Sequence, residues 1–178
     1  FSQFVGPSIE LAKAQDKLVE ISIAESNIYI NPERYKSFFS GLLHVFRNAV
    51  DHGIESREDR KEMGKNTTAS IDVSFKEVGI SRFKILIKDD GKGIDADKIR
   101  DKIKDAKGLE IDGLKDEEVI QFIFESGLST REEASEISGR GVGMDVVKKE
   151  IEKMDGSVFV ESAVNEGSLF IIELPILK

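Results

Sequence analysis

No residue of this 178-residue chain is cysteine. That excludes a disulfide scaffold, a zinc–thiolate site and thiol catalysis, and it is compatible with a reducing compartment. Positive charge is not in excess either. Lys and Arg number 26 against 34 Asp and Glu, a formal net charge of −8. Such a balance argues against an electrostatic grip on nucleic acid or on an anionic membrane. A phosphate would have to be held locally, by backbone amides, a metal ion or a few placed cations. No stretch approaches the length of a transmembrane helix, and no basic-then-apolar leader opens the chain. Internal repeats and low-complexity tracts are missing. Opening on Phe1 rather than Met, the sequence reads as a piece of something longer.

What is present suffices for a core. Apolar residues make 39% and glycines add 15 more, within the range of globular domains. A chain of this length buries about two thirds of its unfolded surface and needs no staple. No low-contact linker stands out, so residues 1–178 are expected to form one domain. Ser8 to Gln15 predicts a short helix after Pro7. Lys17 to Ile23 alternates as a strand. Asn31-Pro32 predicts a helix start, with Asn as cap and Pro in the first turn. That helix runs to about His52 and stops at Gly53, with Phe38, Phe39, Leu42, Leu43, Phe46, Ala49 and Val50 as its core face.

Glu55 to Thr68 is charged, one helical turn or two and then a loop. Ala69–Glu77 and Arg82–Lys88 form a hairpin near Gly79. Asp95–Ala106, Glu117–Glu125 and about Val142–Met154 read as helices, and Ser126 to Gly141 as a long loop. Ser157–Ser162 and Leu169–Leu174 close the chain as a second hairpin around Glu166-Gly167. Two hairpins beside amphipathic helices predict an α/β two-layer sandwich, with helices on one face of a mixed, mainly antiparallel sheet.

Three constellations carry chemistry. His44, Asn48, Asp51 and His52 share one side of the long helix, where a surface helix would usually carry Lys and Glu; a solvated polar face is the alternative. Asp90-Gly91-Lys92-Gly93 follows a strand, and its glycines permit a close backbone approach; alone, it suits a plain turn better. Ser138-Gly-Arg-Gly-Val-Gly-Met144 opens a helix, so that glycines bare amides where the dipole favours an anion; alone, it equally suits a hinge. It fits neither the dinucleotide nor the P-loop fingerprint.

Taken in order, the motifs are far more specific than any one of them. The quoted runs are His44-Val-Phe-Arg-Asn-Ala-Val-Asp-His-Gly-Ile-Glu55, Asp89-Asp-Gly-Lys-Gly-Ile94, Phe122-Ile-Phe-Glu-Ser-Gly-Leu-Ser-Thr130 and Ser138-Gly-Arg-Gly-Val-Gly-Met-Asp-Val-Val-Lys148. With the ending Gly156-Ser157, Glu161-Ser162, Gly167-Ser168 and Leu174-Pro175, the chain resembles the ATP-binding domain shared by histidine kinases, DNA gyrase B and the Hsp90 chaperones. More narrowly, it is similar to the catalytic domain of chemotaxis-type histidine kinases, over nearly its whole length.

The resemblance implies a Bergerat-type ATP-binding fold and a cytoplasmic ATP-dependent phosphotransferase. It would bind ATP·Mg²⁺ and pass the γ-phosphoryl group to a histidine on a separate domain or protomer. Asn48 would be the Mg²⁺ ligand, a neutral oxygen that does not repel the triphosphate. Asp90 would accept a hydrogen bond from the adenine amino group, with Gly91 and Gly93 close to the base and Ser168 fixing Asp90. Residues 126–141 would form a lid. Gly139, Gly141 and Gly143 would offer amides to the phosphates, and Ser129, Thr130, Arg140, Val142 and Met144 would complete the contacts. His44 would hydrogen-bond the γ-phosphate, act as base for the incoming histidine, or partner Asp51. Arg47, Asp51 and His52 would stand on the phosphate side.

Where the family reads Phe-x-Pro-Gly-Phe-Ser-Thr, this chain has Ser126 and Leu128 in place of the Pro and the second Phe. Both changes are expected to loosen the lid. The implied partners are a phosphoacceptor histidine domain, dimerisation and receptor-coupling domains and, indirectly, a response regulator, with no nucleic acid and no membrane contact. His44 and His52 lie inside the nucleotide motif, so neither is expected to be the phosphoacceptor. The competing readings are an ATP-hydrolysing conformational ATPase and a non-catalytic nucleotide-binding module.

Overall fold

The computed structural model describes residues 1–107, 111, 113–126 and 143–177. Helix α1 spans Ser2–Ala14 and starts well before Pro7, contrary to the expected start at Ser8. The reason is its inward stripe. Phe4, Ser8 and Ala12 are buried four residues apart, so burial drives the helix through Pro7. The proline lies on the exposed side, where the carbonyl it leaves without a donor can meet water. Strand β1, Leu18–Ile23, follows at once.

The predicted helix from Asn31 to His52 exists as three pieces. Asn31 Oδ1 accepts from the Glu33 amide and starts a 3₁₀ turn, Pro32–Tyr35. The α-helix α2 then covers Lys36–Asn48. The last turn, Ala49–Gly53, widens into a π-helix. Wide turns of this kind are frequent at functional sites. The core face is also corrected. Val45 is 1% exposed while Leu43 is 41% exposed, because Leu43 lies one position off the stripe that Phe38, Leu42, Val45, Phe46 and Ala49 trace at helical spacing.

Helix α3, Arg57–Glu62, is capped by Ser56 and leads to the hairpin of β2, Thr68–Val78, and β3, Arg82–Asp89. Helix α4 covers Ala96–Lys107. The helix expected over Glu117–Glu125 is a short α5, Asp116–Val119, continued by a 3₁₀ turn, Ile120–Phe124. Helix α6 covers Met144–Glu152 and precedes β4, Ser157–Ala163, and β5, Gly167–Pro175.

One five-stranded sheet results, in the order β1-β2-β3-β5-β4. β1 runs parallel to β2, and the other three pairings are antiparallel. Alternation places a residue on a face but says nothing of strand direction, so only the structure supplies the parallel edge. Register puts one apolar face together. Val73 pairs with Ile87, Ile85 with Ile172, and Val160 with Phe170. Against this face stand Phe38, Leu42 and Phe46 of α2 and Val147 and Ile151 of α6, all buried. Each such side chain contributes roughly 1.5–3 kcal/mol on burial. Because β5 inserts between β3 and β4, the end of β3 at Asp89 lies beside the start of β5 at Ser168. That adjacency builds the site.

Candidate active site

Strand β3 turns Phe83, Ile85 and Ile87 inward, and the same alternation carries on to Asp89. A carboxylate therefore occupies a core position, only 4% exposed. Its Oδ1 accepts the Gly91 amide at 2.9 Å, and the backbone of Ser168 supplies a second donor. Burial pushes the carboxyl up to about 6; the two amides oppose this, and the nearby charges of Asp90 and Glu55 add to it. A partly desolvated acceptor with a displaced pKa at the end of a strand is a typical recognition group.

The turn after β3 is fitted to its neighbours through missing side chains. A Cβ on Gly91 would stand 2.3 Å from the Gly53 carbonyl oxygen, and one on Gly93, at φ +69°, would stand 2.0 Å from that of Ala163. The close approach these glycines license here is thus to the end of α2 and to the β4–β5 hairpin. Lys92 N donates to Gly53 O at 2.8 Å, and Asn165 N to Lys92 O at 2.7 Å. Ser162 Oγ accepts the Ile94 amide at 2.9 Å, donates to Gly167 O at 2.7 Å and lies 3.1 Å from Ser168 Oγ. Ser168 therefore supports Asp89 and not Asp90.

Asp90, the expected partner of the base, is turned the other way. Its Oδ2 meets Arg60 Nη2 at 2.7 Å and its Oδ1 accepts the Ser70 amide at 3.0 Å. Motif spacing did not single out Asp89, although a signal was available: an acidic residue in register with the inward apolar positions of a strand is a buried charge that asks for a reason.

The end of α2 faces this turn. Asn48 is half-buried, and its Nδ2 points at Met144 Sδ, 2.9 Å away at the head of α6. That leaves the amide oxygen as the atom it can offer a cation. Among the described residues, no group of three or more His, Cys, Asp or Glu could by itself hold a metal ion. Gly143 caps α6 in extended backbone, and Met144 is its first, buried residue. His44, one turn before Asn48, is half-buried, and His52 is exposed.

Asp51 is not brought to this group. Gln15 Nε2 donates to its Oδ1 at 2.6 Å and Arg47 Nε to its Oδ2 at 3.2 Å, so Asp51 ties the helix end to the C-cap of α1 while Arg47 braces it from within its own helix. Lys17 Nζ donates to the carbonyls of Val50 and Asp51, at 2.6 and 3.2 Å, and caps the widened turn. Burial lowers the Lys17 pKa from its ordinary value, with Asp51 opposing. Ser129, Thr130, Gly139, Arg140, Gly141 and Val142 lie outside the described residues, as does the expected lid apart from Ser126.

A buried carboxylate at a strand end, a glycine turn pressed on a widened helix end and an amide one helix away are now on one side of the sheet. Residues 39–178 match the family described as histidine kinase-, DNA gyrase B- and HSP90-like ATPase. The chain belongs to this family. Its similarity to curated proteins is substantial. It is 35% identical to the gliding motility regulatory protein of Myxococcus xanthus, over 98% of this chain and 23% of that protein. It is 37% identical to the chemotaxis protein CheA of Halobacterium salinarum, over 94% and 25%, and 36% identical to CheA of Bacillus subtilis, over 99% and 26%. The chain thus spans about a quarter of the length of these relatives.

Among solved structures, the catalytic domain of the histidine kinase ThkA matches with a TM-score of 0.58 at 14% identity, over 99% of this chain and 92% of that one. The mycobacterial sensor histidine kinase MprB matches at 0.53 and 16%, over 99% and 95%. These two likenesses carry the fold. No helix among the described residues is long and apolar enough to cross a membrane.

Proposed function

We propose that this chain is the ATP-binding catalytic domain of a cytoplasmic, chemotaxis-type histidine kinase, and that it transfers the γ-phosphoryl group of ATP to a histidine on another domain or protomer. The observation that carries the reading is Asp89, a nearly fully buried carboxylate held by two backbone amides between a glycine turn and Ser168. In this reading it accepts from the adenine amino group, the role that the resemblance had given to Asp90. Guanine would present an oxygen there, and two facing acceptors cost about 1–3 kcal/mol.

Asn48 would hold Mg²⁺ jointly with the triphosphate, since one neutral oxygen suits an ion that keeps waters and substrate oxygens. When bound, the ion neutralises charge on the phosphates. His44 stands on the same side of α2 as Asn48, where it can donate to a phosphate oxygen or receive a proton from the incoming nucleophile. The resemblance implies Glu at this position in hydrolysing members of the family, so the imidazole of His44 supports transfer over hydrolysis. Gly143 and Met144 begin α6, whose N-terminal dipole favours an anion. Phosphoacceptor, dimerisation and receptor-coupling domains would lie elsewhere in the parent protein, and a response regulator would receive the phosphoryl group from it.

The direct test is phosphotransfer from labelled ATP to the phosphoacceptor domain of the parent protein. Wild type is expected to label it, and His44→Ala to bind ATP but transfer slowly. Label appearing only as inorganic phosphate would replace this reading with an ATPase.

A further inference from the structure

Arg60 is the largest fully buried side chain among the described residues, 1% exposed, in a segment whose composition reads as surface. Its guanidinium makes four hydrogen bonds. Nη1 donates to Glu55 Oε2 at 2.9 Å and to Asp90 O at 3.3 Å, Nη2 donates to Asp90 Oδ2 at 2.7 Å, and Nε donates to Asn66 O at 2.5 Å. Lys65 joins the same network. Its ammonium donates to Glu55 Oε1 at 2.7 Å, Asp90 O at 3.0 Å and Gly91 O at 2.7 Å. Two cations and two carboxylates thus neutralise one another behind the glycine turn.

Four of these bonds end on the Asp90 carboxylate or on the backbone carbonyls of Asp90 and Gly91. The peptide groups held in this way are those that aim the Gly91 amide at Asp89 Oδ1. Buried ion pairs seldom add net stability over an apolar filling of the same volume, and registry is their better-attested use. Planar guanidinium geometry suits such fixing.

We propose that Glu55, Arg60 and Lys65 are positioning residues that hold the Asp90–Gly91 peptide so that Asp89, and not its neighbour Asp90, faces the purine. The inference rests on the adenine-binding reading given above. It explains how two adjacent aspartates acquire different jobs. Strand alternation turns Asp89 inward, and the Arg60–Lys65 pair occupies Asp90 and fixes both carbonyls, so the carboxylates cannot exchange places.

The test measures ATP and GTP affinities of the folded protein in Arg60→Met and Lys65→Met, with the amide resonance of Gly91 followed by NMR. Lys65 is 18% exposed at its side chain, so Lys65→Met keeps the stem in place and is the variant that decides if Arg60→Met fails to fold. The expected result is a displaced Gly91 resonance, ATP binding about tenfold weaker and a comparable fall in the ATP-over-GTP ratio. A purely structural role would lower the melting temperature and leave that ratio alone. A folded Lys65→Met that keeps the ratio within about twofold of wild type, with Gly91 unmoved, overturns the proposal. A wild-type protein that binds ATP and GTP equally overturns the adenine reading of Asp89 itself, and this inference with it.

Discussion

Replacing Asp89 by Asn isolates the cost of the buried charge. The Asp89 carboxyl is raised from 3.8 to about 6 by burial, with the amides of Gly91 and Ser168 opposing. A raised carboxyl in the folded state contributes stability that is present below pH 3.8 and is lost as the pH climbs through about 6. For a carboxyl displaced this far, the ionised form costs about 3 kcal/mol at about pH 7.5 and about 1 kcal/mol at about pH 4.5. At 4% exposure, solvent screening relieves little of this. The side-chain amide of Asp89→Asn keeps the acceptor for Gly91 but loses one of the two amide bonds, a pH-independent loss of about 1 kcal/mol. The variant is therefore expected to be about 2 kcal/mol more stable than wild type near pH 7.5 and about equal near pH 4.5. Urea denaturation of both proteins at the two pH values measures this. Titrating groups away from Asp90 and Glu55, which couple to this carboxyl, cancel in the comparison. A stability difference that does not change between the two pH values would refute the assignment of a displaced carboxyl to this position.

The same variant should alter recognition. With the new amide oxygen tied to Gly91, the amide nitrogen faces the base, so the ATP preference should fall by about 1–3 kcal/mol and shift toward GTP, as competition binding would read. Asn48→Ala should abolish the Mg²⁺ dependence of ATP binding, tested by titration calorimetry with Mg²⁺ and with EDTA; an unchanged dependence would remove Asn48 from the metal. Gly91→Ala places a Cβ 2.3 Å from the Gly53 carbonyl and should displace the turn, cutting ATP affinity about tenfold or more while most of the core survives denaturation. Ile172→Ala, at a fully buried position between β3 and β4, should cost about 2–5 kcal/mol in urea unfolding with ATP affinity per folded molecule unchanged.

Local spacing sets the elements and the order of the motifs. Period-two alternation marks both hairpins, and period-3.6 stripes mark the helices, because burial of one face is a local property of spacing. The Asn31 cap and the position of the glycine turn were legible for the same reason: each depends on a few adjacent residues. What crosses the chain was not legible. The parallel edge of β1, the passage of α1 through Pro7 and the widened turn at Ala49–Gly53 follow from packing between distant segments.

The site divides along the same line. The family resemblance implied that Asn48, Gly91, Gly93 and Ser168 are neighbours in function, and the structure brings Gly91 and Ser168 to the same carboxylate. Which of two consecutive aspartates faces inward was a question of strand register, and alternation from Phe83 through Ile87 answers it only once β3 is known to run on to residue 89. Arg60 shows the opposite limit. Nothing in Arg57–Glu62 marks one of its charged residues as buried, because the partners that neutralise Arg60 come from Glu55, Asn66 and Asp90. A charge can be buried only where the tertiary fold collects its counter-charges and acceptors around it.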